Sequence, residues 1–260
     1  MSFYIVLFVF GALIGSFLNV CIYRMPRNQS IVWPASRCPS CSNPITPYDN
    51  IPIFSYYVLL RGRCRFCKQK ISARYPLVEA LNACFYLLVF WRFGLGWSSV
   101  IYGIFCSAMI VITFIDYDFQ IIPDRITLPG IPLGLVAGSL LLPDPFLRAV
   151  ALGFRASVIG AISGFSFFSL VAFLSVKLLK KEGMGGGDIK MMGMVGAFLG
   201  WKAVLLTTFL GSLFGSIIGI GLMVFKGREK GSLIPFGPFL ALGALVSLFF
   251  GQEILIWYLY

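Results

Sequence analysis

The side chains that could carry out acid–base chemistry in this 260-residue chain are few. The sequence contains no histidine and only ten aspartate and glutamate residues. The lack of histidine excludes Ser-His-Asp triads, Cys-His pairs and histidine zinc sites. An acid or base catalyst must therefore be a carboxylate, Lys, Tyr or Cys, and each carboxylate can be assessed by its position.

Two carboxylates lie at the ends of apolar segments, where an acidic side chain is costly. Asp116 lies in FIDYDFQIIPD (residues 114–124), and Asp188 lies in GMGGGDIK (residues 183–190). An acidic residue beside lipid is functional by default, although a helix-capping role is an alternative for either one. The glycines before Asp188 permit close approaches that no other residue allows. Asp116 and Asp188 are therefore the predicted catalytic pair.

The chemistry open to such a pair is that of the aspartic proteases. If the two carboxyls converge on one water, both cannot ionise cheaply, so one keeps a proton. The charged partner then acts as base on the water, and the protonated partner polarises a carbonyl. Asp118 is a reserve for the first catalytic position. A phosphate-binding loop at residues 183–190 is the competing interpretation, but no GK[ST] motif supports it.

The other acids are assigned simpler roles. Asp124 follows Pro123 and precedes Arg125, and this position suits the start of a helix. Glu79 lies in an apolar segment and remains a candidate for a supporting role. The acids predicted to be solvated surface charges are Asp49, Asp144, Glu182, Glu229 and Glu253.

Four cysteines in the one long polar stretch have the spacing of a metal site. Cys38 and Cys41 form one C-x₂-C pair, Cys64 and Cys67 form another, and 22 residues separate the pairs. Two such pairs predict a structural Cys₄ zinc site. Two disulfides are the alternative, but a cytoplasmic loop keeps its thiols reduced. Bound metal would supply folding energy that this weakly apolar loop otherwise lacks.

The elements that must position these residues are membrane helices. Apolar residues make up 58% of the chain and charged residues only 12%, so a soluble fold is excluded. A span requires roughly 20 apolar residues, and the sequence predicts an all-α polytopic membrane protein with about eight transmembrane helices and a small zinc-bound cytoplasmic loop domain. The predicted spans are residues 3–23, 76–94, 98–115, 126–142, 156–176, 189–201, 203–225 and 233–250. Residues 251–260 are predicted to be an interfacial end piece.

Charge placement predicts the orientation. With both termini outside the cytoplasm, most of the 21 Lys and Arg residues fall in inner loops, as the positive-inside rule requires. The net charge of +11 therefore needs no nucleic acid partner. The first segment is predicted to be an uncleaved helix, because no basic region precedes it. The predicted divisions are a first transmembrane helix (1–23), a cytoplasmic zinc loop domain (24–75) and a transmembrane protease core (76–260).

Ordered motifs along most of the chain resemble those of the bacterial prepilin peptidases, relatives of the GxGD intramembrane aspartyl proteases. The motifs are GALIGSFLNV (11–20), YRMP (23–26), the four cysteines, RYPLVE (74–79, ending in Glu79), IPD (122–124, ending in Asp124), GGGDIK (185–190, with Gly185, Gly187, Asp188 and Lys190) and IPFGPF (234–239).

The resemblance implies a protease of the bacterial inner membrane with catalytic Asp116 and Asp188. It implies cleavage of the short basic leader of type IV prepilins, or of pseudopilins of type II secretion, after a Gly and usually before Phe. It also implies N-methylation of the new terminal amine with S-adenosylmethionine as methyl donor. We expect the donor site on the 24–75 loop, because the amine is released at the inner membrane face, and a pocket among helix ends is the alternative.

Two other classes of protein share some of these features. A transporter also contains intramembrane acids and glycine-broken helices, but here the acids gather at one face rather than at the midplane. A zinc-stapled membrane scaffold explains the cysteines but not the acids.

Overall fold

The computed structural model of the protein describes residues 2–180, 184–226 and 235–259. Parts of the predicted segments lie outside these ranges, namely Met1, Gly183, Leu233, Ile234 and Tyr260, and so do the acids Glu182 and Glu229.

The described residues form seven α-helices, which confirms the predicted all-helical class. The helices are α1 (Ser2–Arg24), α2 (Arg74–Phe93), α3 (Trp97–Phe119), α4 (Asp124–Leu140), α5 (Gly153–Leu179), α6 (Gly186–Lys226) and α7 (Gly237–Leu259). The polar stretch between α1 and α2 contains only short helical turns and isolated bridges in its described residues.

Six of these helices are long and apolar enough to cross a membrane, whereas eight spans were predicted. The fourth predicted span corresponds to α4, which has 17 residues and contains Pro129 and Pro132. The sixth and seventh correspond to parts of α6, whose 41 residues are interrupted at Gly200. The difference therefore lies in a short helix and a broken one. The predicted interfacial tail is not separate, because it continues α7 to Leu259.

The break in α6 depends on one glycine. Gly200 has φ 81° and ψ 174°, a conformation that residues with a Cβ rarely adopt. The segment before it, residues 191–200, is entirely buried. This burial shows that the segment packs tightly against its neighbours.

The chain forms two compact units, Met1–Val111 and Ile112–Tyr260, with their boundary inside α3. In the first unit α1 packs on α2, and amide side chains cross the contact. Asn82 Nδ2 donates to the Gly11 carbonyl (2.7 Å), and Asn19 Nδ2 donates to the Tyr75 carbonyl (3.1 Å). Such bonds hold transmembrane helices together where hydrophobicity alone cannot.

In the second unit α6 packs against α4, α5 and α7. Because α6 begins at Gly186, inside the glycine-rich segment, this packing fixes the helix whose first turn carries Asp188. The functional division into 1–23, 24–75 and 76–260 stays a prediction.

Candidate functional site

Asp116 lies in the last turn of α3 and is 6% exposed. Its Oδ2 accepts a 2.9 Å hydrogen bond from the backbone N–H of Gly237, the first residue of α7. The start of a helix stabilises a negative charge, because its first N–H groups have no partner within the helix. A Cβ at position 237 would lie 2.7 Å from that same oxygen. A side chain at this position would therefore force the carboxylate or the helix start to shift.

Asp188 lies in the first turn of α6 and is 9% exposed. Its Oδ2 accepts a hydrogen bond from the N–H of Gly185 (3.3 Å), and its own N–H donates to the Gly185 carbonyl (3.1 Å). The Asp188 carboxyl also interacts electrostatically with that of Asp116. The structure thus brings the two predicted carboxyls together within the second unit.

Two contacts join the start of α6 to the segment between α3 and α4. Lys190 Nζ lies 2.7 and 2.8 Å from the two carboxylate oxygens of Asp124, the first residue of α4. Gly187 lies against Ile122, where a Cβ on the glycine would come within 2.7 Å of the Ile122 Cβ. These contacts fix the turn that presents Asp188.

Asp118 differs from Asp116 in its surroundings. It is exposed, as is its neighbour Tyr117. Residues two apart on a helix do not share a face, so the α3 geometry directs only Asp116 inwards.

Glu79 lies on α2, in the first unit, and is 8% exposed. Its Oε2 accepts a 2.7 Å hydrogen bond from the N–H of Ile53, and the Ser16 hydroxyl also bonds to its carboxylate. Glu79 therefore ties α2 to the polar loop and to α1.

The four predicted cysteines also converge. Their sulfur atoms all lie within 4.8 Å of one another, with Cys38 to Cys67 at 3.9 Å and Cys41 to Cys64 at 4.0 Å. A tetrahedral zinc with bonds of about 2.3 Å requires sulfurs roughly 3.8 Å apart, so this arrangement can hold a metal ion. All four are free thiols, contrary to the disulfide alternative.

The two halves of this cluster have the same backbone geometry. Cys38 N–H donates to the Asn43 carbonyl and Cys64 N–H donates to the Gln69 carbonyl, both at 2.9 Å. Bridges join Arg37 to Pro44 and, 26 residues later, Arg63 to Lys70. The sequence signal is a repeat of R-C-x-x-C-x-x-x-I at residues 37–45 and 63–71, which the cysteine spacing alone does not capture.

Backbone N–H groups prepare one sulfur for metal. The N–H groups of Cys67 and Phe66 lower the pKa of the Cys64 thiol to about 7. A lower pKa favours the thiolate, the form that binds metal.

The expectation that Asp49 is a solvated surface charge is wrong. Asp49 is 8% exposed, and its two carboxylate oxygens accept bonds from Arg65 Nε (2.8 Å) and a terminal nitrogen (2.6 Å). Arg65 lies inside the second C-x₂-C pair, so its guanidinium holds the pKa of Asp49 below the usual range and ties that pair to the loop.

Two further acids were assigned to the surface. Asp144 is also buried, at 9% exposed, and pairs with Lys202 at 3.1 Å. Glu253 is exposed, as predicted, and pairs with Arg148 at 2.6 Å.

These features define a class: a multi-pass helical membrane protein with two buried, interacting carboxyls and a four-thiol metal site. Comparison with known families agrees with it. The model of the bacterial peptidase A24 N-terminal domain matches residues 9–93, and that of the type IV leader peptidase family matches residues 103–220. No solved structure matches the chain.

Curated relatives match nearly the whole chain, and all three below are named prepilin leader peptidase/N-methyltransferase. The relative from Aeromonas hydrophila is 36% identical over 97% of this chain and 92% of its own length. The relative from Pseudomonas aeruginosa is 33% identical over 98% of this chain and 92% of its own length. The relative from Neisseria gonorrhoeae is 37% identical over 92% of this chain and 87% of its own length. The chain belongs to the type IV leader peptidase family.

Proposed function

We propose that this protein is a membrane aspartyl endopeptidase that removes the basic leader of type IV prepilins or type II secretion pseudopilins. The observation that carries this proposal is the meeting of two buried carboxyls, Asp116 and Asp188, in a chain of this family. The second activity is N-methylation of the new N-terminal residue, since its relatives carry both names.

The two carboxyls share the hydrolytic work. Two carboxyls so close cannot both ionise cheaply, so the pair holds one proton. The ionised member takes a proton from a water molecule as it attacks the scissile carbonyl carbon, and the protonated member donates to the carbonyl oxygen. Collapse of the tetrahedral intermediate breaks the C–N bond, and the departing amine receives a proton from the pair.

Backbone groups keep the pair in position during these proton transfers. The Gly237 N–H engages Oδ2 of Asp116, and the Gly185 N–H engages Oδ2 of Asp188. Each carboxyl therefore has its Oδ1 oriented by a fixed partner on the other oxygen, and the site is preorganised.

Other residues support the site without touching the scissile bond. Lys190 and Asp124 hold the start of α6, and Gly185 and Gly187 allow its tight turn. Within the first unit, Glu79 supports the polar loop by holding the Ile53 N–H. The exposed Asp118 lies outside the catalytic pair in this proposal.

The location follows from charge. Positive-inside placement puts the polar loop, the end of α3 with Asp116 and the start of α6 with Asp188 at the cytoplasmic face of the inner membrane. A basic leader held in the cytoplasm presents its scissile bond at that face, while the apolar part of the substrate stays in lipid.

The methylation step requires a methyl donor from the cytoplasm. Bound S-adenosylmethionine would supply the methyl group: the N–C bond to the freed amine would form as the S–C bond breaks, S-adenosylhomocysteine would leave, and the amine nitrogen would lose a proton. We assign the donor site to the 24–75 loop domain, whose fold depends on zinc bound by Cys38, Cys41, Cys64 and Cys67. The four sulfurs suit zinc, which prefers tetrahedral thiolate sites.

The test uses purified protein and a full-length type IV prepilin in lipid vesicles. Wild type should convert the prepilin to a shorter product with a methylated N-terminus, measured by electrophoretic mobility and mass spectrometry. Asp188→Ala should leave the substrate intact. An unprocessed prepilin with wild type would favour a transporter or a scaffold instead, and an unmethylated product would reduce the proposal to the protease alone.

A further inference from the structure

A groove of about 420 Å³ lies between the second half of α6 and the start of α7. Small residues on α6 form its floor and aromatic rings of the α7 region form its wall. The small residues are Ser212, Gly215, Ser216 and Gly219, the aromatic residues are Phe236 and Phe239, and Ile220 and Met223 of α6 complete the lining. The four floor residues recur at helical spacing, so they share one face of α6.

The groove borders the candidate active site at the start of α7. Phe236 lines the groove, and the N–H of the next residue, Gly237, bonds to the Asp116 carboxylate. A molecule that reaches Phe236 therefore lies next to the residue that holds a catalytic carboxyl, and all of these residues belong to the second unit.

We infer that this groove binds the apolar helix of the substrate, on the mature side of the scissile bond; this inference rests on the proposed function. None of the residues that line the groove carries a charge, so it suits an apolar segment and not the basic leader. The groove volume lies within the ~300–1,000 Å³ that is typical of ligand sites. A groove of this size cannot enclose a whole helix. The substrate helix lies along the groove and places one row of side chains in it.

The small floor gives such a helix a reason to dock. Hydrophobicity does not drive association between helices in lipid, but small residues let two backbones approach closely and gain van der Waals contact. Ser216 is exposed and Gly215 half-buried, so this face is open to a lateral partner.

A second groove in the same unit provides a control. It has a volume of about 400 Å³, lies between α5 and α6, and is lined by apolar residues including Ile159 and Phe209. Nothing in its lining contacts Asp116 or Asp188 in the described part of the chain. Ile220 lines the first groove and is 62% exposed, while Ile159 lines the second and is 53% exposed, so the two positions match.

The experiment places a photo-crosslinking amino acid at Ile220 or at Ile159 in the Asp188→Asn protein, which should bind but not cleave. Each protein is reconstituted in vesicles with full-length prepilin and irradiated, and crosslinked peptides are mapped by mass spectrometry. We expect crosslinks from position 220 to the apolar segment of the prepilin, and few from position 159. Three outcomes would overturn the inference. They are no prepilin crosslink at position 220, equal crosslinking at both positions, and crosslinks at position 220 only to lipid or to a second copy of the protein.

A kinetic test complements the crosslinks. Ser216→Phe fills the groove, and Ser166→Phe makes the same change at an exposed serine on α5 outside both grooves. We expect the KM for prepilin to rise about tenfold in the first variant, as for a substrate that loses apolar contacts in its site, with kcat nearly unchanged. If Ser216→Phe keeps the wild-type KM, the groove does not bind the substrate helix, and the proposed function still stands. Failure of wild type to cleave prepilin contradicts the proposed function itself.

Discussion

The Asp116 carboxylate accepts a hydrogen bond from the backbone N–H of Gly237 over 2.9 Å, although 121 residues separate them in the chain. This bond joins the end of α3 to the start of α7. It explains why the IPFGPF motif, far from both aspartates in sequence, belongs to the same site.

The first prediction concerns the glycine of this bond. Gly237→Ala places a Cβ 2.7 Å from the Asp116 Oδ2, so the carboxylate or the helix must shift. A displacement of about 1 Å in an active site can cost on the order of 100-fold in rate, and we expect prepilin cleavage to fall at least tenfold on that scale. Cleavage of reconstituted prepilin measures it.

Gly221→Ala is the matched control, because a Cβ at this glycine of α6 meets nothing within 4 Å. That variant should cleave like wild type. Equal activity in both variants would mean that the bond to Asp116 does not position the carboxylate.

The second prediction concerns the metal site. Purified protein should contain about one zinc per chain, the stoichiometry of a four-thiolate site. Cys41→Ser should lose most of it, whereas Cys84→Ser, at an exposed cysteine of α2, should not. Elemental analysis checks both, and a zinc content that is unchanged in Cys41→Ser would place the metal elsewhere.

The third prediction concerns the ion pair between Lys190 and Asp124. Both side chains are partly exposed, 32% and 53%, and such pairs contribute about 0–1 kcal/mol. Lys190→Met should therefore lower the cleavage rate only a few-fold, and the exchanged pair Asp124→Lys with Lys190→Asp should recover part of it. If the single and exchanged variants are equally impaired, the charges act separately rather than as a pair.

The fourth prediction concerns pH and the Asp49–Arg65 pair. The hydrogen bond from Arg65 lowers the pKa of Asp49 below its usual 3.8. The ion pair therefore stabilises the folded loop fully above pH 3.8, and this stabilisation is lost only as the pH falls through the lower pKa of the folded state. Asp49→Asn should release zinc to a chelator faster than wild type, and the ratio of the two release rates should stay constant from pH 8 to pH 5. A difference that disappears already between pH 7 and pH 5 would contradict this pairing.

The sequence predicted those parts of the site that depend on residue type and spacing. The scarcity of acids identified Asp116 and Asp188, and the C-x₂-C pairs identified the four thiols, because both signals are local. The Gly237 contact and the burial of Asp49 depend on which helix ends and loops meet, and no local pattern records that. The span count differed because α4 is short, and because the two predicted segments 189–201 and 203–225 belong to one helix that is broken at Gly200 without an intervening loop.

If Asp116 and Asp188 form the catalytic pair, single Asp-to-Asn variants at either position should lose cleavage. Each substitution removes one carboxylate with little change in shape. The measurement is the initial rate of prepilin cleavage by wild type, Asp116→Asn, Asp188→Asn and the control Asp118→Asn, all reconstituted at equal amounts. We expect no detectable cleavage by either of the first two variants and near wild-type cleavage by Asp118→Asn. Full activity in Asp116→Asn or Asp188→Asn would contradict the account.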